Sequence, residues 1–339
     1  MKKADLRSDA IPAGGAKAFG RRPGRGRLAT VRADFFLDPA ERLSERERAL
    51  MSAMLHCLVA DIAERLRATL PNAARGQDHD LVADLNRCGL LDDPELVARL
   101  LSRAEEERIA AAASARAGRS EARLLQGLVG NENGQVSAAA MALILARGRR
   151  RDRFGQCLLA FDDLPRQSAH ALVQRIAAAI RAGGGVPDRD ITASGASVIA
   201  AHDPAKSVET LADGLADALA QSGVLDDAML LAAAHEGDVA LLAHLLAHPA
   251  GVPGSIAEAE LLSGDPRSII ILLRMAKVSR QVAAGILAAI GDILGVQDPA
   301  AALREFAALK DAEIGEAHVL LTSDPAYRSA LALLAGHNG

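Results

Sequence analysis

The chain has 339 residues, of which 72 are Ala and 48 are Leu, while aromatics make up 2 % and Trp is absent. Sheets need β-branched and aromatic side chains to fill their pleated faces, so this composition excludes a sandwich or barrel and predicts stacked helices. The formal net charge of −4 hides a division: residues 1–33 carry nine basic groups against Asp5 and Asp9, or +7, which leaves −11 on the rest.

Half of the residues are apolar, enough for a sizeable core and too many for a disordered chain. Cys57, Cys88 and Cys157 are odd in number and far apart, so neither a zinc pair nor a disulfide framework is expected. The N-terminus lacks the apolar core of a signal peptide, and no uncharged apolar stretch approaches the ~18–20 residues of a membrane span. A soluble, cytoplasmic protein is the expectation.

In chain order, residues 1–33 read as a disordered basic arm, rich in Gly, Ala, Arg and Pro and without periodicity. Ser44 and Glu47 have capping-box spacing, and Leu50, Met51, Met54, Leu55, Leu58, Val59, Ile62 and Leu66 then form one apolar stripe up to Pro71. The 44–70 helix must bury that stripe in the body or against a second copy, so a homodimer through it is one expectation. Six of the thirteen prolines follow an aspartate, at Pro39, Pro94, Pro204, Pro266, Pro299 and Pro325, where the 26 aspartates would give about one by chance. Asp caps a helix start and Pro suits its first position, so each pair predicts a helix N-terminus. Helices follow at 80–88, 94–117, 120–129, 136–147, 165–182, 204–221, 227–248, 255–263, 266–277, 279–294, 299–309, 311–321 and 325–335.

Gly183-Gly184-Gly185-Val186-Pro187 is the clearest interior linker. It predicts an N-terminal helical half at 34–182, a linker at 183–190 and a C-terminal half at 191–339. The halves echo each other at an offset of 134 residues: Gly89-Leu90-Leu91-Asp92-Asp93 against Gly223-Val224-Leu225-Asp226-Asp227, with Leu85 against Leu219 and Leu96 against Leu230. The fold class read from these features is all-α, with HEAT-like stacked helix pairs in two related halves. Four segments, Ser44–Leu50, Leu90–Leu96, Arg150–Gly155 and Asp162–Pro165, resemble an alphaproteobacterial domain-of-unknown-function family. The resemblance covers roughly residues 35–335 and implies an all-helical, HEAT-like architecture. It carries no catalytic residues over.

Phosphate-loop, dinucleotide, nucleophile-elbow and HExxH motifs are missing, so no enzyme and no cofactor are expected. His244 and His248 have the i, i+4 spacing of a metal pair, with His235 and Glu236 as further donors, yet no general base lies between them. Pro249 is expected to end their helix at His248, where a histidine suits the helix dipole. The pairs Asp92-Asp93, Asp162-Asp163 and Asp226-Asp227 look like acid/base dyads but sit at helix starts. His56 lies roughly 130° from the centre of the apolar stripe of its helix, where a phosphotransfer protein displays its acceptor. Arg147, Arg149, Arg150, Arg151 and Arg153, five arginines in seven residues, exceed what a helix C-terminus needs and are the candidate binding residues. The reading is a non-enzymatic interaction or scaffold protein whose partner presents an acidic face. Two alternatives stand beside it: a nucleic-acid-associated protein using the arm and the arginines, and a phosphotransfer-like signalling protein using His56. Seven Phe and Tyr residues are too few for base-stacking platforms, which disfavours sequence-specific RNA binding.

Overall fold

Each aspartate–proline pair among the described residues opens a helical segment. Asp93, Asp203, Asp265, Asp298 and Asp324 accept hydrogen bonds from the amides two or three residues on, and Pro occupies the next position. In this computed structural model the described residues are 43–70, 81–117 and 124–336; Asp38-Pro39 and the basic arm at 1–33 lie outside them. The chain divides into Met1–Glu45 and a unit spanning Arg46–Gly339, whose organisation follows.

The helices are α1 (Glu45–Ala68), α2 (Leu81–Arg87), α3 (Pro94–Ala117), α4 (Leu124–Val129), α5 (Gly134–Gly148), α6 (Arg166–Ala182), α7 (Asp188–Ala201) and α8 (Val208–Gln221). They continue as α9 (Asp227–His235), α10 (Val239–Ala250), α11 (Gly254–Leu262), α12 (Pro266–Met275), α13 (Arg280–Ile286), α14 (Pro299–Ala308), α15 (Asp311–Leu321) and α16 (Pro325–Gly336). The fold is all-α. Extended pairing among the described residues is limited to one isolated bridge between Arg151 and Cys157.

Three helical expectations need correction. α7 was not expected, because Thr192, Ser194, Gly195 and Ser197 lower its intrinsic propensity. Its buried Ser194 donates to the Leu66 carbonyl at 2.7 Å and so ties α7 to α1. The single helix expected at 227–248 is two helices, broken where Gly237 adopts φ 66° and Asp238 starts α10 by accepting from Leu241 N. α10 runs through Pro249 to Ala250 and ends at Gly251 rather than at His248. A proline in the last turn still leaves the following carbonyls free to be capped.

Two apolar clusters form the interior. In the first, Met54, Leu58, Ile62 and Leu66 of α1 pack with α2, α6, α7 and the segment around Phe161. In the second, α5 and α8–α14 bury residues such as Leu143, Leu215, Leu242, Leu272 and Phe306. α3 serves both, with Leu96, Leu100 and Ala104 in the first and Ile109 in the second. Gly183–Pro187 is a turn joining α6 to α7, and Ile180 and Ile191 on its two sides belong to the same cluster. The α1 stripe from Met54 to Leu66 is buried within the chain. At the 134-residue offset Leu85 and Leu219 are both fully buried, whereas the capping aspartates, Asp93 and Asp226, are shifted by one position.

Candidate functional site: an arginine joint and its exposed tip

α5 opens at Asn133, whose side chain accepts from Gln135 N and Val136 N, and closes at Gly148. Arg147 therefore lies in its last turn, and Arg149–Arg151 lie in the turn that leaves it. Arg147 grips Asp238 with both terminal nitrogens, at 2.5 and 2.8 Å, and the same carboxylate caps α10. Arg150 is 5 % exposed; its Nε donates to Asp163 at 2.7 Å and its Nη1 to Glu106 of α3 at 3.1 Å. Asp163 also accepts from Val208 N, the first amide of α8, at 3.0 Å. Arg151 donates to both oxygens of Glu107, at 2.8 and 3.1 Å, and Arg103 adds bonds to Glu106 at 3.2 Å and Glu107 at 3.4 Å.

These groups line a cleft of about 310 Å³ between α3, the end of α5 and the α9–α10 turn. Burial alone would pull the Arg150 pKa down, but the carboxylates of Glu106 and Asp163 outweigh it and hold the guanidinium above its ordinary value. The network sits where α3 passes from one apolar cluster to the other. It is a charged joint between the two cores. The five arginines therefore do not form one continuous, unpaired basic face. Arg147, Arg150 and Arg151 are tied to carboxylates of the body, Arg151 from an exposed position, and Arg149 and Arg153 are left facing outward without a carboxylate partner.

Arg149 donates to the Lys206 carbonyl at 2.8 Å. Beyond it, Arg151 and Cys157 bridge the base of a five-residue tip, Asp152–Gln156. Asp152 accepts from Phe154 N and Gln156 N, each at 2.8 Å, and Arg151 clamps the Gly155 carbonyl at 2.9 Å. The tip is thus held by its own hydrogen bonds. It presents Phe154, 74 % exposed, with the Arg153 guanidinium 4.7 Å from the ring centroid.

A second polar cluster lies deeper. His244 of α10 is buried and donates from Nδ1 to Asp213 of α8 at 2.5 Å, while His248, one turn on, stands 3.8 Å from Asp217. The two histidines face two aspartates of a neighbouring helix and not a common centre. Among the described residues no group of three or more His, Cys, Asp or Glu side chains is placed to hold a metal ion. Glu258 of α11, buried beside this cluster, has its pKa pushed up to about 7 by burial and by the Glu106 carboxylate, against the opposing pull of His244, Arg150 and Arg99. The folded state therefore favours the protonated acid. Stability is expected to be greatest below the ordinary value of 4.5 and to fall as pH rises towards 7, then level off. Glu258→Gln should flatten that slope and stabilise the protein at pH 8. Urea titrations of both proteins at pH 5 and pH 8 check this, and parallel pH dependences would refute it.

The remaining candidates separate. His56 lies on the exposed side of α1, with Nδ1 2.7 Å from the Ser52 carbonyl. Asp93 and Asp226 cap helices as expected, and Asp162 accepts from Asp203 N at 3.0 Å. Asp163 instead is the buried partner of Arg150, which its position in a doublet did not reveal. Arg103, Glu106 and Glu107 were also missed as members of the arginine network. One signal was available: Arg103 occupies a stripe position of α3 after Leu96 and Leu100, where a charge requires a buried partner. No helix among the described residues is long and apolar enough to cross a membrane.

The family described as "Uncharacterised protein conserved in bacteria (DUF2336)" matches residues 85–313, which include α3, the joint and the tip. No curated protein and no solved structure matches the chain.

Proposed function

The chain belongs to the DUF2336 family, and on that premise we propose a non-enzymatic, cytoplasmic interaction protein that holds a partner with an acidic face. The body is a scaffold of HEAT-like stacked helix pairs, a reading supported by the packing of α9 on α10, α10 on α11 and α11 on α12. Within the arginine cluster the work divides. Arg147, Arg150 and Arg151 brace the joint, and Arg149 and Arg153 meet the partner.

One observation carries this reading: Phe154 is held out to solvent on a hydrogen-bonded tip with a guanidinium against its ring. A side chain ordered before binding loses little entropy on docking, and aromatic and Arg residues are the commonest anchors of protein interfaces. The partner that fits has an apolar pocket for the ring and carboxylates at its rim for Arg149 and Arg153. Capture from host extract should be lost with Arg153→Glu combined with Phe154→Ser, while the melting temperature stays within about 2 °C, since both side chains are exposed. Undiminished capture by that variant would overturn the reading. Binding to random duplex DNA that weakens steeply with salt would replace the acidic partner with nucleic acid.

A further inference from the structure

The outer face of α5 breaks the pattern of its neighbours. α6 turns Arg166, Gln167, His170, Gln174 and Arg181 to solvent, and α8 turns out Thr210, Asp213, Asp217 and Gln221. α5 exposes Gly134, Gln135, Ala138, Met141, Leu145 and Gly148. Its one charged side chain, Arg147, is turned to Asp238. Met141 is 43 % and Leu145 63 % exposed, one turn apart on the same face. A helix that is apolar all round is ordinarily covered on every side, and here one side is open.

We propose that this face is covered by α5 of a second copy of the chain, packed antiparallel about a two-fold axis near Met141. Antiparallel pairing matches the stripe to its own reverse to within one residue. A dyad at Met141 sets Gly134 opposite Gly148 of the other copy, Ala138 within one residue of Leu145, and Met141 against its own equivalent. Small residues thus receive large ones, and the glycines at each end let the backbones approach. The charges agree with the same register. Glu132 is exposed just before the helix and Arg149 is exposed just after it, and neither makes an ion pair with a carboxylate or base among the described residues. Antiparallel pairing brings Glu132 of each copy beside Arg149 of the other, twice per dimer. The helix dipoles oppose in the same arrangement. An isologous contact of this kind is the usual geometry of a homodimer. A parallel arrangement would instead set glutamate beside glutamate and arginine beside arginine.

One helix pair covers less than the ~800 Å² per partner of a standard interface, so the association is weak, populated at tens of micromolar. Sedimentation equilibrium of the full chain between about 5 and 200 micromolar reads it. The wild type should pass from monomer to dimer over that range, and Met141→Arg should remain monomeric with an unchanged melting temperature. Glu132→Arg or Arg149→Glu alone should weaken association about tenfold, because two rim pairs turn repulsive. The combined Glu132→Arg/Arg149→Glu protein should return to within about threefold of the wild type. Leu145→Arg serves as a second apolar variant should the Arg149 change alter stability. A wild type that stays monomeric at 200 micromolar overturns the proposal. So does a dimer that survives both Met141→Arg and Leu145→Arg, or a charge exchange that restores nothing.

Discussion

Replacing Arg150 by Ala should lower the free energy of unfolding by about 3–5 kcal/mol, the range for removing one partner of a buried ion pair. The substitution leaves Asp163, 3 % exposed, without a cation, and leaves Glu106 with Arg103 alone. Asp163 would still hold the first amide of α8, so the carboxylate cannot simply turn to solvent. Urea denaturation followed by circular dichroism checks the magnitude. A loss below about 1 kcal/mol would place the network with the weak surface pairs. Arg150→Met combined with Asp163→Asn should recover part of the loss, because the uncompensated charge goes with its partner. The shape of the transition carries further information. With the joint intact the two apolar clusters share α3 and the Arg150 network, and one cooperative step is expected. Weakening the joint should separate the steps before it abolishes either cluster.

The second large effect is expected at Gly254, in the first turn of α11. A Cβ there would fall on His244 Nδ1 and on the Asp213 carboxylate oxygen, the two atoms that make the part-buried 2.5 Å hydrogen bond. The half-exposed Asp213 carboxylate can turn to solvent, but His244 cannot withdraw cheaply. His244 is enclosed by the second core, and moving it leaves a buried ring nitrogen without its acceptor. Gly254→Ala should therefore cost about 2–4 kcal/mol, chiefly from overpacking against His244, whose ring nitrogen also loses its acceptor. Gly214, on α8 next to Asp213, is the control. Its added Cβ would meet nothing within 4 Å, and Gly214→Ala should stabilise by about 0.5–1 kcal/mol through helix propensity alone. Thermal melts of the two alanine variants should move in opposite directions. Equal shifts would mean that the contact at Gly254 relaxes freely.

The arginine cluster shows how one run of like charges can serve two purposes. Read along the chain, Arg147 to Arg153 form a single basic patch. In space the turn after α5 distributes them by helical and turn geometry. Arg147 and Arg150 point inward to α10 and α3, Arg151 reaches back over α3, and Arg149 and Arg153 remain outside. Supporting the tip is then a direct consequence of bracing the core. Arg151 does both at once, holding Glu107 with one terminal nitrogen and the Gly155 carbonyl with the other. Replacing it would loosen the display of Phe154 as well as the joint.

The helical class and most helix starts could be read from the residues themselves, because caps and apolar periodicity are local. Asp93, Asp265 and Asp298 bind amides two or three positions away, and no distant residue is needed to make that work. α7 was invisible because tertiary contact outweighs propensity there, with Ser194 bonded to a carbonyl 128 residues away. The break at Gly237 was likewise hidden inside a continuous apolar run. Which arginines are available to a partner depends on Glu106, Glu107, Asp163 and Asp238, residues 13 to 91 positions from the arginines they meet. Composition supplies the charges, but pairing is a property of distance in space. Local residue patterns alone therefore specify an all-helical chain with a concentrated basic run. That three of those arginines close a joint between two cores follows from long-range packing, because a buried charge must take its partner from whichever helix the fold lays beside it.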